Sequence, residues 1–248
     1  MNVLVPMAGS GDAFIKKGYH YPKNIVEITG KPLVQHVYEN LSGIPGARFI
    51  FIVKKEEVEK FHLDNILRLL NPDCQIIILD DDTSGAACSA LLAIEYINNE
   101  LPLVIANGDQ IICSEIGKII NHFQQRDADG GIVTFESLHP RWSYVRIGEN
   151  GSVVETAEKR PISKYATAGV YYFKKGKDFL ESTMDMIRKD ASVEGKFFVC
   201  PVYNEMILRQ AKVEKYDIKR SQYYPLSSPQ GVQEYEAFLK SKGGADFA

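Results

Sequence analysis

The 248-residue chain sets 29 Lys and Arg against 32 Asp and Glu, a net charge of −3, in an ordinary globular composition with 45% apolar residues. That length can bury a sizeable core, and the balanced charge gives no reason to expect nucleic acid or a membrane surface as a partner. No apolar run approaches the roughly 20 residues needed to span a bilayer, the start lacks a signal-peptide pattern, and Cys74, Cys88, Cys113 and Cys200 are too dispersed for a zinc site or a disulfide framework, so reduced thiols in a cytoplasmic protein are expected.

Apolar runs rich in β-branched residues predict strands at 2–7, 48–53, 74–79 and 101–107. Between them, 32–42, 55–70, 85–98 and 114–125 read as helices, the last with Ser114 as N-cap and Glu115 in the first turn. Strands apolar on both faces and alternating with helices predict a doubly wound α/β domain, with ligands beyond the carboxyl ends of the strands. After about residue 128 the texture becomes β-rich. Strands are expected at 130–137, 143–159 and 164–176, the second folded into a hairpin at Asn150-Gly151. Helices near 177–190 and 200–211, a strand at 212–218 and a helix near 229–241 follow. No linker or repeat separates the halves. We therefore expect one domain over 1–248, with a nucleotide-binding half at about 1–128 and an acceptor-binding half at about 129–241 built onto the same sheet. The closing GGADFA segment is expected to fray.

Five segments carry chemistry. In the loop after the first strand, Gly9 and Gly11 let backbone N–H groups approach an anion and Ser10 adds a hydroxyl, although an ordinary βα turn uses the same residues. It is not a P-loop, because no Gly-Lys-Ser/Thr follows. Lys23 follows Pro22, which can aim it at a phosphate instead of leaving it in solvent. Thr83, Ser84 and Gly85 stand at a strand-to-helix junction whose small residues suit either a flat ring or a capped helix, while Asp80, Asp81 and Asp82 read as a solvated turn. Asn107-Gly108-Asp109 ends a buried strand and brings Asp109 to the carboxyl edge, as a turn residue or as a Mg²⁺ ligand beside phosphates. Glu158 and Lys159, followed by Gly169 and Tyr171, could hold a sugar hydroxyl and a phosphate, or form an exposed edge pair.

The order of these segments, with "GKFFVCPVYNEMI" after them, resembles the sugar-phosphate nucleotidylyltransferases, or nucleoside-diphosphate-sugar pyrophosphorylases, from residue 1 to about 240. The resemblance implies a Rossmann-like mixed, mostly parallel sheet, Mg²⁺ as cofactor, and an NTP and a phosphorylated small molecule as partners. The reaction it implies yields an NDP-sugar and pyrophosphate. By the same resemblance Ala8, Gly9, Ser10, Gly11, Ser84, Gly85, Asn107 and Gly108 surround the nucleotide. Asp109 binds the metal, Lys23 contacts phosphate, and Glu158, Lys159, Gly169 and Tyr171 line the acceptor pocket, so that Lys23, Asp109 and Lys159 are the catalytic candidates.

Two departures stand out. The family loop commonly continues with a hydroxyl residue and an arginine, where this chain has Asp12 and Ala13, leaving Lys16 or Lys17 to supply the charge. The late segment 223–235, with Leu226 and Ser227, lacks the second metal-binding aspartate of many members. The alternatives are a cytidylyltransferase for a non-sugar acceptor, a catalytically weakened nucleotide-binding regulator, and a glycosyltransferase on a similar sheet, which would more often show two aspartates where Asn107-Gly108-Asp109-Gln110 has one. A homo-oligomer is compatible with each.

Overall fold

In the computed structural model, which describes residues 1–243, the first strand β1 (Asn2–Pro6) sends Val3 and Val5 to one side and Leu4 to the other, all fully buried. Strands buried on both faces need helices on both sides. Two apolar clusters supply this, one around Val3, Phe49, Phe51 and Val104 and the other around Leu4, Ile50, Ile52 and Ile105. The chain continues through α1 (Asp12–Ile15), β2 (Glu27–Ile28), β3 (Lys31–Pro32), α2 (Leu33–Leu41), β4 (Arg48–Lys54), α3 (Lys55–Phe61) and α4 (Leu63–Leu70). Next come β5 (Gln75–Leu79), α5 (Ala86–Leu91), α6 (Ile94–Ile97), β6 (Leu103–Ala106), β7 (Gln110–Ile112) and α7 (Ile116–Gln125). The second half adds β8 (Gly130–Glu136), β9 (Tyr144–Ile147), β10 (Val153–Ala157), β11 (Tyr165–Phe173), α8 (Gly176–Arg188), α9 (Val202–Leu208), β12 (Val213–Asp217), β13 (Tyr223–Pro225) and α10 (Pro229–Gly243). Apart from Gly243, the expectation for the closing GGADFA segment falls outside the described residues.

Nine strands share one mixed sheet. Its parallel part runs β5-β4-β1-β6, and β11 then lies antiparallel to β6. Along its other edge β11 pairs with β8, which carries β12 in parallel. β11 also changes partner along its length. Tyr165 and Ala166 pair with β9, Val170–Phe173 pair with β6, and the ladder to β8 shifts register between Thr167 and Tyr171. The fork falls at Gly169, whose φ is +64°. A Cβ there would lie 2.3 Å from Gln110 Oε1 and 2.4 Å from Asn107 Nδ2, so glycine allows the chain leaving β6 to lie against the fork. Asn107 N–H donates to Gly169 O at 2.9 Å and ties the two together. The fork opens beyond the carboxyl end of β6, where a doubly wound sheet receives ligands.

Several local expectations are corrected. The helix expected over 55–70 breaks at His62, which takes φ +53°, a left-handed conformation that histidine adopts more readily than most residues. The helix over 85–98 divides where the bonds from Leu92 to Ser89 and from Ala93 to Ala90 tighten to a three-residue spacing. Glu115, not Ser114, is the N-cap of α7; its carboxylate bonds Lys118 Nζ at 2.6 Å and makes no cap bond. The hairpin at 148–152 forms as expected, with Gly151 at φ +82°. The small antiparallel pair β7–β13 was not expected, and it presses the late segment against Asp109: Leu226 N–H donates to Asp109 O at 2.7 Å. No described helix is long and apolar enough to cross a membrane.

Candidate active site

A cleft of about 470 Å³ lies between the loop after β1, the β5–α5 junction, the end of β6 and the β9–β11 fork. Among the described residues, the N–H groups of Ala8, Gly9, Ser10 and Gly11 donate to no protein acceptor. N–H groups left open on a glycine loop can receive an anion, and Ala8, Gly9 and Ser10 line the cleft. Ser10 Oγ instead accepts the N–H of Asp12, which opens α1 with an exposed side chain.

Lys23 comes in beneath this loop. Pro22 (φ −61°, ψ 152°) directs the chain into a single 3₁₀ turn at Lys23–Ile25, and Asn24 fastens that turn. The Asn24 amide donates to Met7 O at 3.0 Å and to Glu57 Oε2 at 2.6 Å, with the whole side chain buried. Burial pushes the Glu57 carboxyl above its ordinary pKa, opposed by the Asn24 hydrogen bond and the Lys23 charge. So held, Lys23 Nζ donates to Asp109 Oδ2 at 2.6 Å, with the lysine side chain 6% and the aspartate 25% exposed. A Cβ on Gly9 would stand 3.6 Å from the same ammonium, so the glycine loop lies directly over the pair.

The β5–α5 junction forms one wall. Gly85, at φ +114°, lies so close to Phe197 that a Cβ would meet its carbonyl oxygen at 2.4 Å. Phe197 N–H donates to Ser84 O at 2.7 Å and Ala87 N–H to Phe197 O at 3.0 Å. The segment between α8 and α9 thereby clasps the small-residue turn, and the Ala87 N–H is already taken. Thr83 Oγ1 donates to Gly85 O at 3.1 Å and lies 2.6 Å from Ser89 Oγ, so Thr83 and Ser89 both brace the turn. Lys54 and Lys55 neutralise Asp82 and Asp80 at 2.8 and 2.7 Å.

The forked strands form the opposite wall. Glu158 accepts a hydrogen bond from Ser143 Oγ, and its pKa is raised, chiefly by burial, against the lowering effects of Ser143 and Lys159. Tyr171 Oη and Thr167 Oγ1 lie 3.0 Å apart, and burial drives the Tyr171 phenol and the Cys200 thiol upward. Lys159 does not share this wall with Glu158. Its backbone turns at φ +54°, and the 40%-exposed side chain pairs with Glu194 outside.

Of the residues proposed from sequence, the structure brings Ala8, Gly9, Ser10, Lys23, Gly85, Asn107, Asp109, Glu158, Gly169 and Tyr171 to the cleft. Gly11, Lys16, Lys17, Ser84, Gly108 and Lys159 are not among its lining residues. Lys16 and Lys17 are exposed at the end of α1, Ser84 faces Phe197 with its carbonyl, and Gly108 provides close approach, since a Cβ there would meet Met7 Cγ at 2.6 Å. Sequence reasoning passed over Arg141, Trp142, Ser143, Lys196, Phe198 and Tyr223, which also line the cleft. The chain's single tryptophan beside an arginine in a loop was the available signal for the first two. Among the described residues, no group of three His, Cys, Asp or Glu side chains could hold a metal by itself.

Comparison with known proteins shows the fold and the family. The chain is similar to a nucleoside-diphosphate-sugar pyrophosphorylase structure from Vibrio cholerae RC9, with a TM-score of 0.80 at 24% identity over 95% of this chain and 99% of that one, a likeness of fold. It is 24% identical over 180 residues to the UTP–glucose-1-phosphate uridylyltransferase AglF of Haloferax volcanii, covering 70% of this chain and 72% of that protein. It is 23% identical over 180 residues to the bifunctional protein GlmU of Methanocaldococcus jannaschii, where the match spans 71% of this chain but only 40% of the relative. The family model described as nucleotidyl transferase matches residues 7–207. The glycine loop, the Lys23–Asp109 pair and the forked wall all fall within that match, and the chain belongs to the nucleotidyl transferase family.

Proposed function

We propose that the cleft joins an NTP to a phosphorylated small-molecule acceptor, that the acceptor is a sugar phosphate, and that the products are an NDP-sugar and pyrophosphate. The observation that carries this reading is the Lys23–Asp109 pair, 2.6 Å apart beneath a loop with four open N–H groups. Both substrates are anions, so the chain must supply donors, cations and alignment more than proton transfer. An acceptor phosphate oxygen forms a bond to the α-phosphorus as the bond from that phosphorus to the bridging oxygen breaks, and pyrophosphate leaves with the electron pair. The attacking oxygen is already ionised near neutral pH and needs no strong base. The glycine-loop N–H groups hold phosphate oxygens, Lys23 exchanges its carboxylate for one, and Asn107 and the Gly85 turn face the nucleoside.

Asp109 fits a Mg²⁺ ion. One carboxylate completed by phosphate oxygens and waters is a usual donor set for it, and the described residues of the late segment bring Tyr223, Ser227 and the Leu226 N–H to this part of the cleft without a second carboxylate. When bound, such an ion neutralises phosphate charge. Glu158 and Ser143 then receive acceptor hydroxyls, and Lys159 contributes only by leaving Glu194. We assign the enzyme to the cytoplasm, where NTPs are available. The names of AglF and of the Vibrio protein support a sugar acceptor. A second reading, cytidylyl transfer to a non-sugar phosphate, draws on the aromatic wall of Trp142, Tyr171 and Phe198. Pyrophosphate release measured with each NTP, Mg²⁺ and a panel of sugar phosphates and phosphorylated alcohols tests both. Turnover with one NTP and a sugar 1-phosphate is expected, and no release with any pair would overturn the proposal.

A further inference from the structure

The cleft is lined by three cations, Lys23, Arg141 and Lys196, and three carboxylates, Asp82, Asp109 and Glu158. Lys23 is committed to Asp109, and Asp82 to Lys54. Among the described residues, neither Arg141 nor Lys196 has a carboxylate within ion-pairing distance. Lys196 precedes Phe197, which clasps the Gly85 turn, so it belongs to the nucleotide wall. Arg141 stands on the other wall, two residues from Ser143, whose hydroxyl donates to Glu158.

Arg141 is an exposed residue of this wall, with one partner for its side chain and one for its backbone N–H. Its guanidinium carbon lies 4.2 Å from the centre of the Trp142 ring. Trp142 packs edge-on against Phe135 and Tyr223 at 5.5 and 5.6 Å, and its carbonyl accepts Lys159 N–H at 3.1 Å. The Arg141 N–H donates to His139 Nδ1 at 3.2 Å, and Tyr144 Oη donates to His139 O at 2.7 Å. A guanidinium over an aromatic face keeps N–H groups available, and its planar fork matches phosphate in a way lysine cannot.

We propose that Arg141 is the acceptor-phosphate clamp, the residue that makes a phosphorylated acceptor bind more tightly than the corresponding alcohol. The inference rests on the nucleotidyl-transfer reading for its role in turnover, but its binding consequence can be measured separately. The test compares wild type with Arg141→Gln and Arg141→Lys, using initial rates of pyrophosphate release and calorimetric titration with glucose 1-phosphate and glycerol 3-phosphate, each against glucose and glycerol. Arg141→Gln is expected to weaken acceptor-phosphate binding and raise the acceptor KM about 10- to 100-fold, leaving NTP binding within about twofold. Arg141→Lys should fall between, because it keeps the charge and loses the fork. Unchanged phosphate preference in Arg141→Gln, an equal loss of NTP affinity, or a wild type that prefers neither phosphate over its alcohol would each overturn the assignment. If no pair turns over but the preference is present and lost in Arg141→Gln, nucleotidyl transfer fails and the clamp stands.

Discussion

Lys23 and Asp109 are 86 positions apart in sequence and share one hydrogen bond at 2.6 Å in the cleft, so each is the other's counter-ion until substrates arrive. Removing either leaves a partly buried charge unpaired, at a cost of about 1–3 kcal/mol once the partial exposure of Asp109 is allowed for. Lys23→Met and Asp109→Asn should each lower urea stability by that order, and the double variant should lose less than the sum. Strict additivity in the cycle would show that the pair contributes no coupling. In the transfer assay each single variant should lose about 100-fold or more in kcat, the usual effect of removing one charge stabiliser from a developing anion. Glu158 makes a different prediction. Its carboxyl is raised above the ordinary value of 4.5, chiefly by burial, so the folded state holds a proton that the unfolded chain releases. The favourable effect of that proton is complete at low pH and is lost as pH rises above about 4.5 through the raised pKa. Glu158→Gln should therefore gain Tm relative to wild type as pH increases from 4 to 8, and a flat difference across that range would contradict the burial argument.

At the scale of elements, the fork in β11 and the clasp on α5 build the cleft, and both depend on glycine at positive φ. Gly169→Ala would drive a methyl group into Asn107 and Gln110 at 2.3–2.4 Å. Gly195, at φ +72°, has nothing within 4 Å of the position a Cβ would take, so Gly195→Ala tests backbone strain alone. The Gly195 change should cost about 1 kcal/mol. The Gly169 change should cost about 3 kcal/mol or more, because it adds a collision with the residues that join β6 to β11. Equal costs in urea titrations would mean that the fork relaxes freely. The same contrast explains what could be read from sequence. Runs buried on both faces showed the parallel strands, and glycine, proline and aspartate at strand ends pointed to the loops that reach the cleft. The change of partner at Gly169 is a register event, set by contacts between strands far apart in the chain, and it has no local signature. Lys159 shows the same limit, because its outward turn depends on its own left-handed φ and on Glu194, which a reading of "AEK" alone does not contain.

At the scale of the whole molecule, the sheet couples the two halves through β6 and β11, which pair Leu103–Ala106 with Val170–Phe173 and bury residues on both faces. Cutting the chain near residue 128 would expose the edge of β6 and remove Phe135, Tyr172 and Val213 from the two apolar clusters. Such a loss exceeds what a fragment with a stability of about 5–15 kcal/mol can absorb. The halves should therefore unfold together, and the chain carries a built-in reporter. Trp142, its single tryptophan, sits in the second half against Phe135 and Tyr223, while far-UV circular dichroism sums the helices of both halves, α1 to α7 and α8 to α10. In a urea titration, tryptophan fluorescence and far-UV circular dichroism should give the same midpoint and slope, as one cooperative transition requires. Because Trp142 also lines the cleft, a saturating NTP with Mg²⁺ should move both curves to higher urea by the same amount. If fluorescence alone shifted, or lost its signal at lower urea than the dichroism, the forked wall would be an independently melting unit and the β6–β11 ladder would not couple the halves.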